Sequence, residues 1–242
     1  MNKDAPVLHK MEEFDPGAAK HGNFITYYKF HSLKERVDLL PIHLLLSDSR
    51  DVTSFLDIGC NTGDLTEAVY KEISLYKNCY ALALDLDNSL IERAIEKNHI
   101  CNISYKCVNV AEESELINAL NDHLELNNKR YFDIVFLFSV TMWIHLNYGD
   151  IGLMAFFQTI SKYAKVLVVE PQPWKCYKSA VRRLKRAKKE PFMYFNSIKM
   201  RESVEEDLDL FLREACSFEK IYESPRTNWG RKISIYKQSR LL

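Results

Sequence analysis

Short apolar segments alternate with amphipathic segments from Thr53 to Pro171, and this alternation limits the possible folds more than any other feature of the sequence. The apolar segments predict β-strands at residues 53–59, 79–87, 103–110, 132–140 and 165–171. The segments between them, at residues 64–76, 88–98, 111–126 and 150–163, have the apolar spacing of α-helices. Strands that alternate with helices are typical of an α/β fold, in which helices cover both faces of a doubly wound, mostly parallel sheet.

The last third of the chain predicts a different strand pairing. Helical spacing returns from Cys176 and again at residues 203–215. Two apolar segments, 218–224 and 232–239, flank the turn sequence PRTNWG and predict a C-terminal antiparallel hairpin with an antiparallel edge strand. Because ligands of such sheets bind at the carboxyl ends of the strands, we expect the functional residues there.

The length of 242 residues fits one domain with a sizeable core. We expect this domain at residues 21–242, after a mobile N-terminus at residues 1–20 that lacks the apolar core of a secretory signal. The sequence has no apolar stretch long enough to span a bilayer, so no membrane partner is expected. Six cysteines without C-x-x-C or zinc-finger spacing predict reduced thiols, a cytoplasmic location and no metal site.

The sequence LDIGCNTGDL, at residues 56–65, follows the first predicted strand. Gly59 and Gly63 allow the backbone to turn tightly and to approach a ligand at the start of a helix. Asn61 and Asp64 stand where a dinucleotide-binding loop would have its second and third glycines, so a pyrophosphate is not expected. The spacing resembles motif I of the S-adenosylmethionine-dependent methyltransferases, and it predicts S-adenosyl-L-methionine as the cofactor.

Two later strand ends predict further cofactor contacts. Asp85 follows the second strand in LDLD, where an acidic side chain can bind both ribose hydroxyls. Asn109 and Val110 follow the third strand, and the amide oxygen of Asn109 can accept a hydrogen bond from the adenine amine. Methyltransferases often have Asp at this position, so Asn109 is a departure from the pattern. Each feature alone also fits a plain turn or a surface acid, and the interpretation depends on their combination.

The fourth predicted strand ends in FSVTMWIHLNYGD, at residues 138–150. This sequence places Trp143, His145 and Asn147 in a short predicted loop, where they could face the methyl acceptor. A packed turn around a buried Trp explains the same residues, and the sequence leaves both readings open.

The fifth predicted strand ends in EPQPWK, where two prolines stiffen the chain and remove two donors. Glu170, Gln172 and Trp174 are therefore predicted to project from a rigid edge. The prolines are not adjacent, as they would be in a D/N-P-P-Y/F/W motif of amino-methylating enzymes, so a base amine is not the favoured acceptor.

A basic segment follows at once, with eight Lys and Arg residues within residues 175–189 of a chain that has 33 basic and 33 acidic residues. Apolar residues from Tyr177 to Ala187 form a narrow stripe at helical spacing, and the basic residues lie mostly outside it. Such a face can follow RNA phosphates. A solvated helix balanced by the acidic segment 202–209 is the alternative.

Three long segments, at residues 22–40, 139–153 and 166–177, resemble the Bicoid-interacting-protein family of RNA 5′-phosphate methyltransferases. The resemblance covers residues 22–177 and continues more faintly to the end. One group of this family methylates the γ-phosphate of a small nuclear RNA. The other methylates the 5′-monophosphate of RNAs such as histidine tRNA and some precursor microRNAs, and the segment EPQPWKCYKSAVRRLK is closer to this second group.

The resemblance implies a fold of the S-adenosylmethionine-dependent methyltransferase type and a set of functional residues. Arg36 is expected to pair with the cofactor carboxylate through two hydrogen bonds. The implied cofactor contacts are Arg36, Gly59, Asn61, Asp85, Asn109, Val110 and Phe138, with Tyr27 and Tyr28 at the same mouth. The predicted phosphate-holding residues are His145, Lys175 and Gln172. The predicted substrate contacts are Trp143, Asn147, Glu170, Trp174, Arg182, Arg183 and Arg186.

The chemistry of a 5′-monophosphate agrees with these residues. Its second pKa lies near ~6, so at neutral pH its oxygen is an anion that needs no strong general base. Catalysis can then depend on positioning and electrostatics, and no catalytic triad is expected. A γ-phosphate acceptor, a small-molecule methyltransferase and a non-catalytic RNA-binding scaffold remain alternatives. The particular RNA, the number of methyl groups per phosphate and the oligomeric state stay open.

Overall fold

The computed structural model describes residues 18–25, 27–29, 31–46 and 52–239. Residues 1–17, which are predicted to be mobile, lie outside these ranges. Residues 18–20 contact the rest of the domain, because the carbonyl oxygens of Ala18 and Lys20 accept hydrogen bonds from Lys189 Nζ and Asn147 Nδ2 at 2.7 and 2.8 Å.

Seven strands within the described ranges form one sheet. They are β1 (Thr53–Ile58), β2 (Cys79–Asp85), β3 (Ile103–Cys107), β4 (Phe132–Phe138), β5 (Ala164–Glu170), β6 (Phe218–Glu223) and β7 (Ser234–Gln238). The helices are α1 (Leu33–Asp38), α2 (Ile42–Leu45), α3 (Asp64–Ser74), α4 (Asn88–Lys97), α5 (Glu113–Leu126), α6 (Thr141–Ser161), α7 (Trp174–Arg186) and α8 (Val204–Cys216). A short 3₁₀ turn at Tyr27–Lys29 precedes them.

The strand order is β3-β2-β1-β4-β5-β7-β6, and strands β1 to β5 are parallel. This confirms the doubly wound α/β fold and the C-terminal hairpin. The edge strand β6 pairs antiparallel with its neighbour β7, as the sequence predicts. The antiparallel strand β7 inserts between β5 and β6, so the edge strand β6 runs in the same direction as β5.

The alternating side chains of the strands divide the core into two layers. Leu56, Leu82, Val135 and Leu167 face the layer that holds residues of α5, α6 and α8. The intervening residues, such as Phe55, face the opposite layer, which holds residues of α3 and α4. Because both faces are covered, the central strands are mostly apolar, as the sequence predicts.

The predicted short loop after β4 is wrong, because helix α6 begins there at Thr141. Residues 141–148 are helical and join the predicted helix across Gly149, where φ of 70° and ψ of −174° interrupt the helical geometry. Met142 and Leu146 of this first segment pack with Tyr177 and Leu184 of α7 in a third apolar cluster. Trp143, His145 and Asn147 therefore lie on a helix that supports α7.

Helix α7 begins at Trp174, two residues before the predicted start, and ends at Arg186. Ala187, predicted to lie in the apolar stripe, is exposed because it follows the last helical residue. No helix within the described ranges is both long and apolar enough to cross a membrane.

Candidate active site

Two adjoining clefts open at the carboxyl ends of β1, β2 and β4. The first spans about 530 Å³ and the second about 480 Å³, and both volumes include space that is open to solvent. The first is lined by polar and aromatic residues that include Asn23, Tyr27, Tyr28, Asp57, Asn61, Phe138 and Ser139. The second is lined mainly by apolar residues that include Ile58, Leu84, Leu86, Val108, Val110 and Ile144. Both clefts share His21, Gly59, Asp85, Val140 and Trp143.

The turn after β1 has the tight geometry that its glycines predict. Gly59 and Gly63 both have a φ of 79°, and Asn61 between them has a φ of 52°. This backbone directs the Asn61 N–H to Asp85 Oδ2 at 2.9 Å, so the turn is fastened to the end of β2. A Cβ atom on Gly63 would lie 2.6 Å from Tyr105 Oη, so the turn has no room for a larger residue there.

Asp57 is a residue of the first cleft that the sequence analysis did not select. It is 4% exposed and accepts one hydrogen bond, from Thr66 Oγ1 at 2.5 Å. Burial raises the pKa of its carboxyl to about 6, although the Thr66 hydrogen bond opposes this, and repulsion from Asp85 adds to the rise. Its position as the acidic residue two places before Gly59 is the signal that could have identified it.

Asp85 lies where the two clefts meet, at the end of β2. Its Oδ1 accepts from the Asp87 N–H at 3.0 Å and its Oδ2 accepts from the Asn61 N–H. Burial raises the pKa of Asp85, while these backbone donors lower it. Each oxygen keeps acceptor capacity, since a carboxylate has about four lone-pair sites.

Asn109 and Val110 line the second cleft, beyond the end of β3. The Asn109 Oδ1 accepts from the Ala111 N–H at 3.2 Å, and its Nδ2 donates to Tyr148 Oη at 3.3 Å. These contacts fix the orientation of the side chain at the wall of the cleft.

Arg36 of α1 is fully buried beside the first cleft. Its Nε and Nη2 donate to Glu170 Oε2 at 3.1 and 2.8 Å, and Nη2 also reaches Tyr27 Oη at 2.8 Å. Its Nη1 is buried and has no hydrogen-bond partner among the described residues. Nε and Nη2 are thus occupied by protein oxygens, so Nη1 is the nitrogen left for a ligand carboxylate, and the predicted pair of two hydrogen bonds from two nitrogens does not fit this arrangement.

Glu170 does not project from the edge of the sheet, as the sequence analysis predicts. It is fully buried, and its Oε1 accepts from Trp229 Nε1 at 2.8 Å while Oε2 accepts from Ser139 Oγ at 2.6 Å. Burial alone would raise the pKa of Glu170, but Arg36 and then Arg231 outweigh it and lower this pKa. Strand alternation explains the inward direction, because Glu170 ends β5 two residues after the buried Val168.

Gln172 is also directed inward. Its Oε1 accepts from the Met142 N–H at 3.2 Å and its Nε2 donates to the Ser139 carbonyl. These bonds connect the end of β5 to the start of α6. The prediction that Gln172 projects from the edge is wrong, and in this structure its amide fixes the β4–α6 turn.

His145, a predicted phosphate-holding residue, is fully buried in α6. Its two ring nitrogens are already bound, Nδ1 to Tyr177 Oη at 3.0 Å and Nε2 to Asp150 Oδ1 at 2.9 Å. Burial lowers the pKa of His145, although Asp150 opposes this, so the neutral imidazole joins α6 to α7. Neither nitrogen is free to donate to a phosphate.

Trp143 and Asn147 hold the N-terminal segment against the clefts. A Cβ atom on Gly22 would lie 2.1 Å from the Trp143 indole, so the segment crosses directly over this ring. Asn147 Nδ2 donates to the carbonyl oxygens of Lys20 and Trp143. Trp143 lines both clefts, whereas Asn147 lines neither and binds the N-terminal segment at Lys20.

The remaining predicted substrate residues lie along α7. Arg182 and Arg186 are exposed, and the half-buried Arg183 lies over the Phe24 ring at 5.9 Å. Lys175 and Trp174 line a separate open cleft together with Gly230 and acidic residues of α8. The structure thus keeps Lys175 and Trp174 apart from the two clefts of Asp85.

The residues of the two clefts fit S-adenosylmethionine. The apolar second cleft suits an adenine ring, and Asp85 suits a ribose at the junction. Arg36 contacts Tyr27 and Ser139 of the first cleft, and its unpartnered Nη1 suits the carboxylate. A Cβ atom on Gly59 would approach Val140 to 3.1 Å and would narrow the junction. Among the described residues, no group of three or more His, Cys, Asp or Glu side chains is placed to hold a metal ion.

Comparison with known proteins gives three kinds of similarity. The sequence profile of the family described as Bicoid-interacting protein 3 (Bin3) matches residues 132–238. The chain is 38% identical to the pre-miRNA 5′-monophosphate methyltransferase of Xenopus laevis, over 93% of this chain and 95% of that protein. It is 34% identical to the RNA 5′-monophosphate methyltransferase of Bos taurus, over 94% of this chain and 84% of that protein.

A solved structure has the same fold at low sequence identity. The plantazolicin methyltransferase BpumL, determined with a desmethyl-plantazolicin analogue and S-adenosylhomocysteine, superposes with a TM-score of 0.57. It is 11% identical, and the superposition covers 89% of each chain. This similarity shows that the two chains share a fold.

Proposed function

The chain belongs to the Bicoid-interacting protein 3 family, in the group of the RNA 5′-monophosphate methyltransferases, and we propose that it transfers a methyl group from S-adenosylmethionine to the 5′-monophosphate of an RNA. One observation supports this proposal most. An apolar cleft and a polar cleft meet at Gly59 and Asp85, and the basic helix α7 packs on the first segment of α6, whose Trp143 lines both clefts.

When bound, S-adenosylmethionine supplies an electrophilic methyl group on a sulfonium sulfur. Arg36 would hold its carboxylate through the free Nη1 edge, and Asp57 carries the negative charge that suits its ammonium group. Asp85 would hold the ribose hydroxyls, and Asn109 with Val110 would hold the adenine edge.

The residues around the clefts can act on the acceptor without a strong general base. The oxygen of a 5′-monophosphate is already ionised at neutral pH, because its second pKa is near ~6. His145 and Gln172 keep α6 and its preceding turn in place, while Tyr27 and Trp143 form the wall of the first cleft. The contribution of this chain is then positioning and the exclusion of water.

Helix α7 provides the contact with the rest of the RNA. Its exposed basic residues offer charge to several phosphates without reading the bases. A small RNA with a paired stem, such as a precursor microRNA or histidine tRNA, is the proposed substrate. The cytoplasmic location stays a prediction.

Methyl transfer to matched RNAs tests the proposal. One RNA sequence with a 5′-monophosphate, a 5′-triphosphate or a 5′-hydroxyl is incubated with the protein and radiolabelled S-adenosylmethionine. We expect labelling of the monophosphate RNA and little labelling of the other two. Equal labelling of the 5′-hydroxyl RNA would reject the acceptor, preferential labelling of the triphosphate would favour the γ-phosphate alternative, and no cofactor binding by calorimetry would favour the scaffold.

A further inference from the structure

A second buried arginine lies beside Arg36, and the sequence analysis did not identify it. Arg231 precedes β7 and is 8% exposed. Its Nη1 donates to Ser139 Oγ and, at 3.5 Å, to Tyr27 Oη, and it lies 3.9 Å from Glu170 Oε2. Its Nε is buried and has no hydrogen-bond partner among the described residues.

The charges of this cluster do not balance. Arg36 and Arg231 bring two positive charges, and Glu170 is the one carboxylate that forms ion pairs with them among the described residues. Burial disfavours the charged form of both arginines, but Tyr27 and Glu170 outweigh it and raise the pKa of each. Burial, with help from both arginines, lowers the pKa of His31 to about 3, so this neighbour stays neutral. Arg36, Arg231 and Glu170 together therefore carry a net charge of +1, and Asp57 of the first cleft is a further carboxylate whose charge interacts with Arg36.

Arg231 is also redundant as a structural donor. Among the described residues, the side-chain acceptors near Arg231 are Tyr27 Oη, Ser139 Oγ and Glu170 Oε2, and each also accepts a hydrogen bond from Arg36. Removing the Arg231 side chain would leave none of these oxygens without a donor. A buried charge without a partner of its own is costly unless a ligand neutralises it.

The excess charge borders the first cleft. Tyr27 and Ser139, which bind both guanidinium groups, are lining residues of that cleft. The two unpartnered donors, Arg36 Nη1 and Arg231 Nε, therefore belong to side chains that contact the lining of this cleft without lining it themselves. We propose that Arg231 is a second cationic anchor, which acts with Arg36 to bind an oxyanion of a ligand in the first cleft, and this inference rests on the proposed function.

The oxyanion has two possible sources, the carboxylate of the cofactor and the 5′-phosphate of the RNA. Arg231→Gln removes the charge and keeps a polar side chain, and Arg231→Lys keeps the charge. Arg213→Gln is the matched control, because Arg213 is half exposed on α8 and pairs with Asp209. Calorimetry measures the affinity for S-adenosylhomocysteine and for methylthioadenosine, which lacks the carboxylate. Fluorescence anisotropy measures the affinity for the same RNA with a 5′-phosphate or a 5′-hydroxyl, in the presence of S-adenosylhomocysteine.

We expect Arg231→Gln to weaken the binding of one of the two charged ligands by about tenfold or more, because a hydrogen bond between two charged groups is lost. If Arg231 binds the cofactor carboxylate, Arg231→Gln should weaken S-adenosylhomocysteine binding and leave methylthioadenosine binding unchanged. If Arg231 binds the 5′-phosphate of the RNA, Arg231→Gln should no longer prefer 5′-phosphate RNA over 5′-hydroxyl RNA and should bind S-adenosylhomocysteine as before. In either case Arg231→Lys retains most of the affinity, and the unfolding temperature without ligand does not fall.

Two results would overturn the inference. One is unchanged affinity for both charged ligands in Arg231→Gln. The other is a lower unfolding temperature together with a similar loss of affinity for methylthioadenosine and for 5′-hydroxyl RNA. A residue with a purely structural role would behave in this way. Failure of the proposed function is distinct, because the unmodified protein itself would then bind no S-adenosylhomocysteine or would not distinguish the two RNA ends.

Discussion

The ionised side chain of Asp57 destabilises the ligand-free protein, and Asp57→Asn tests this claim. Burial raises the pKa of the Asp57 carboxyl from 3.8 to about 6, so the folded state holds its proton more tightly than the unfolded state does. A rise of this size corresponds to about 3 kcal/mol of lost stability once the carboxyl is ionised in both states. Asn has the same shape, keeps an oxygen for the Thr66 hydroxyl and never ionises.

The effect of the substitution depends on pH in a defined direction. Below pH 3.8 the carboxyl is protonated in both the unfolded and the folded state, so Asp57→Asn changes stability little. Between pH 3.8 and about 6 the folded state binds more protons than the unfolded state, so the stability of the unmodified protein falls as the pH rises. Above that range we expect Asp57→Asn to be more stable by up to about 3 kcal/mol.

Urea unfolding of the ligand-free proteins across this pH range measures the difference. Asp122→Asn is the control, because Asp122 is an exposed carboxylate on α5 and pairs with Lys106 at the surface. The Asp57→Asn protein should also bind S-adenosylhomocysteine more weakly, since it lacks the negative charge that suits the ammonium group. A loss of stability at neutral pH, or a gain that does not change with pH, would refute the reasoning.

Three further substitutions test other parts of the site. Arg182→Ala, compared with Arg93→Ala on α4, should raise the KM for RNA and lower the salt slope of binding by about 0.7–0.9, and an unchanged slope would contradict the role of α7. Gly63→Ala should lower the free energy of unfolding in urea by roughly 1–3 kcal/mol, because its φ of 79° and the Tyr105 side chain, with atoms at 2.6 and 2.9 Å, both oppose a Cβ atom. If Gly63→Ala costs the same in a Tyr105→Ala background, the contact with Tyr105 is not the cause. His145→Gln should lower stability by about 1–3 kcal/mol and should reduce the loss of stability as the pH falls below 6.5, because only the unfolded state then gains a proton at His145. A large loss of kcat with unchanged stability would instead make His145 a catalytic residue.

The sheet was predictable because its strands are continuous apolar segments that end in recognisable turns. The turn from Gly59 to Gly63 and the acid at the end of β2 are local patterns, so Asp85 and Asn61 could be placed at the cleft from the sequence. Asp57 belongs to the same pattern and could have been selected with them.

The first segment of α6 was missed for a local reason. The sequence TMWIHLNYGD mixes large, polar and turn-forming residues, and its helix is stabilised by packing against α7 and by the Gln172 bond to the Met142 N–H. Intrinsic preference could not reveal this tertiary support. The same packing buries His145, whose residue type alone suggested a catalytic role.

The arginine cluster was missed for a different reason. Arg36 and Arg231 lie at opposite ends of the chain, and Arg231 follows the turn of a hairpin that the sequence presents as a simple connection. The insertion of β7 beside β5 brings this turn to Glu170 and Ser139. Sequence spacing contains no signal for that contact, although strand alternation could have placed Glu170 on the inner face.

The position of the transferred methyl group shows directly whether the 5′-monophosphate of an RNA is the methyl acceptor. RNA with a 5′-monophosphate is incubated with the protein and S-adenosylmethionine, digested to nucleotides and analysed by mass spectrometry. We expect the added methyl group on the 5′-terminal nucleotide, and we expect it to be lost when the 5′-phosphate of that nucleotide is removed. A methyl group that stays with a base or a ribose after removal of the phosphate would contradict this expectation.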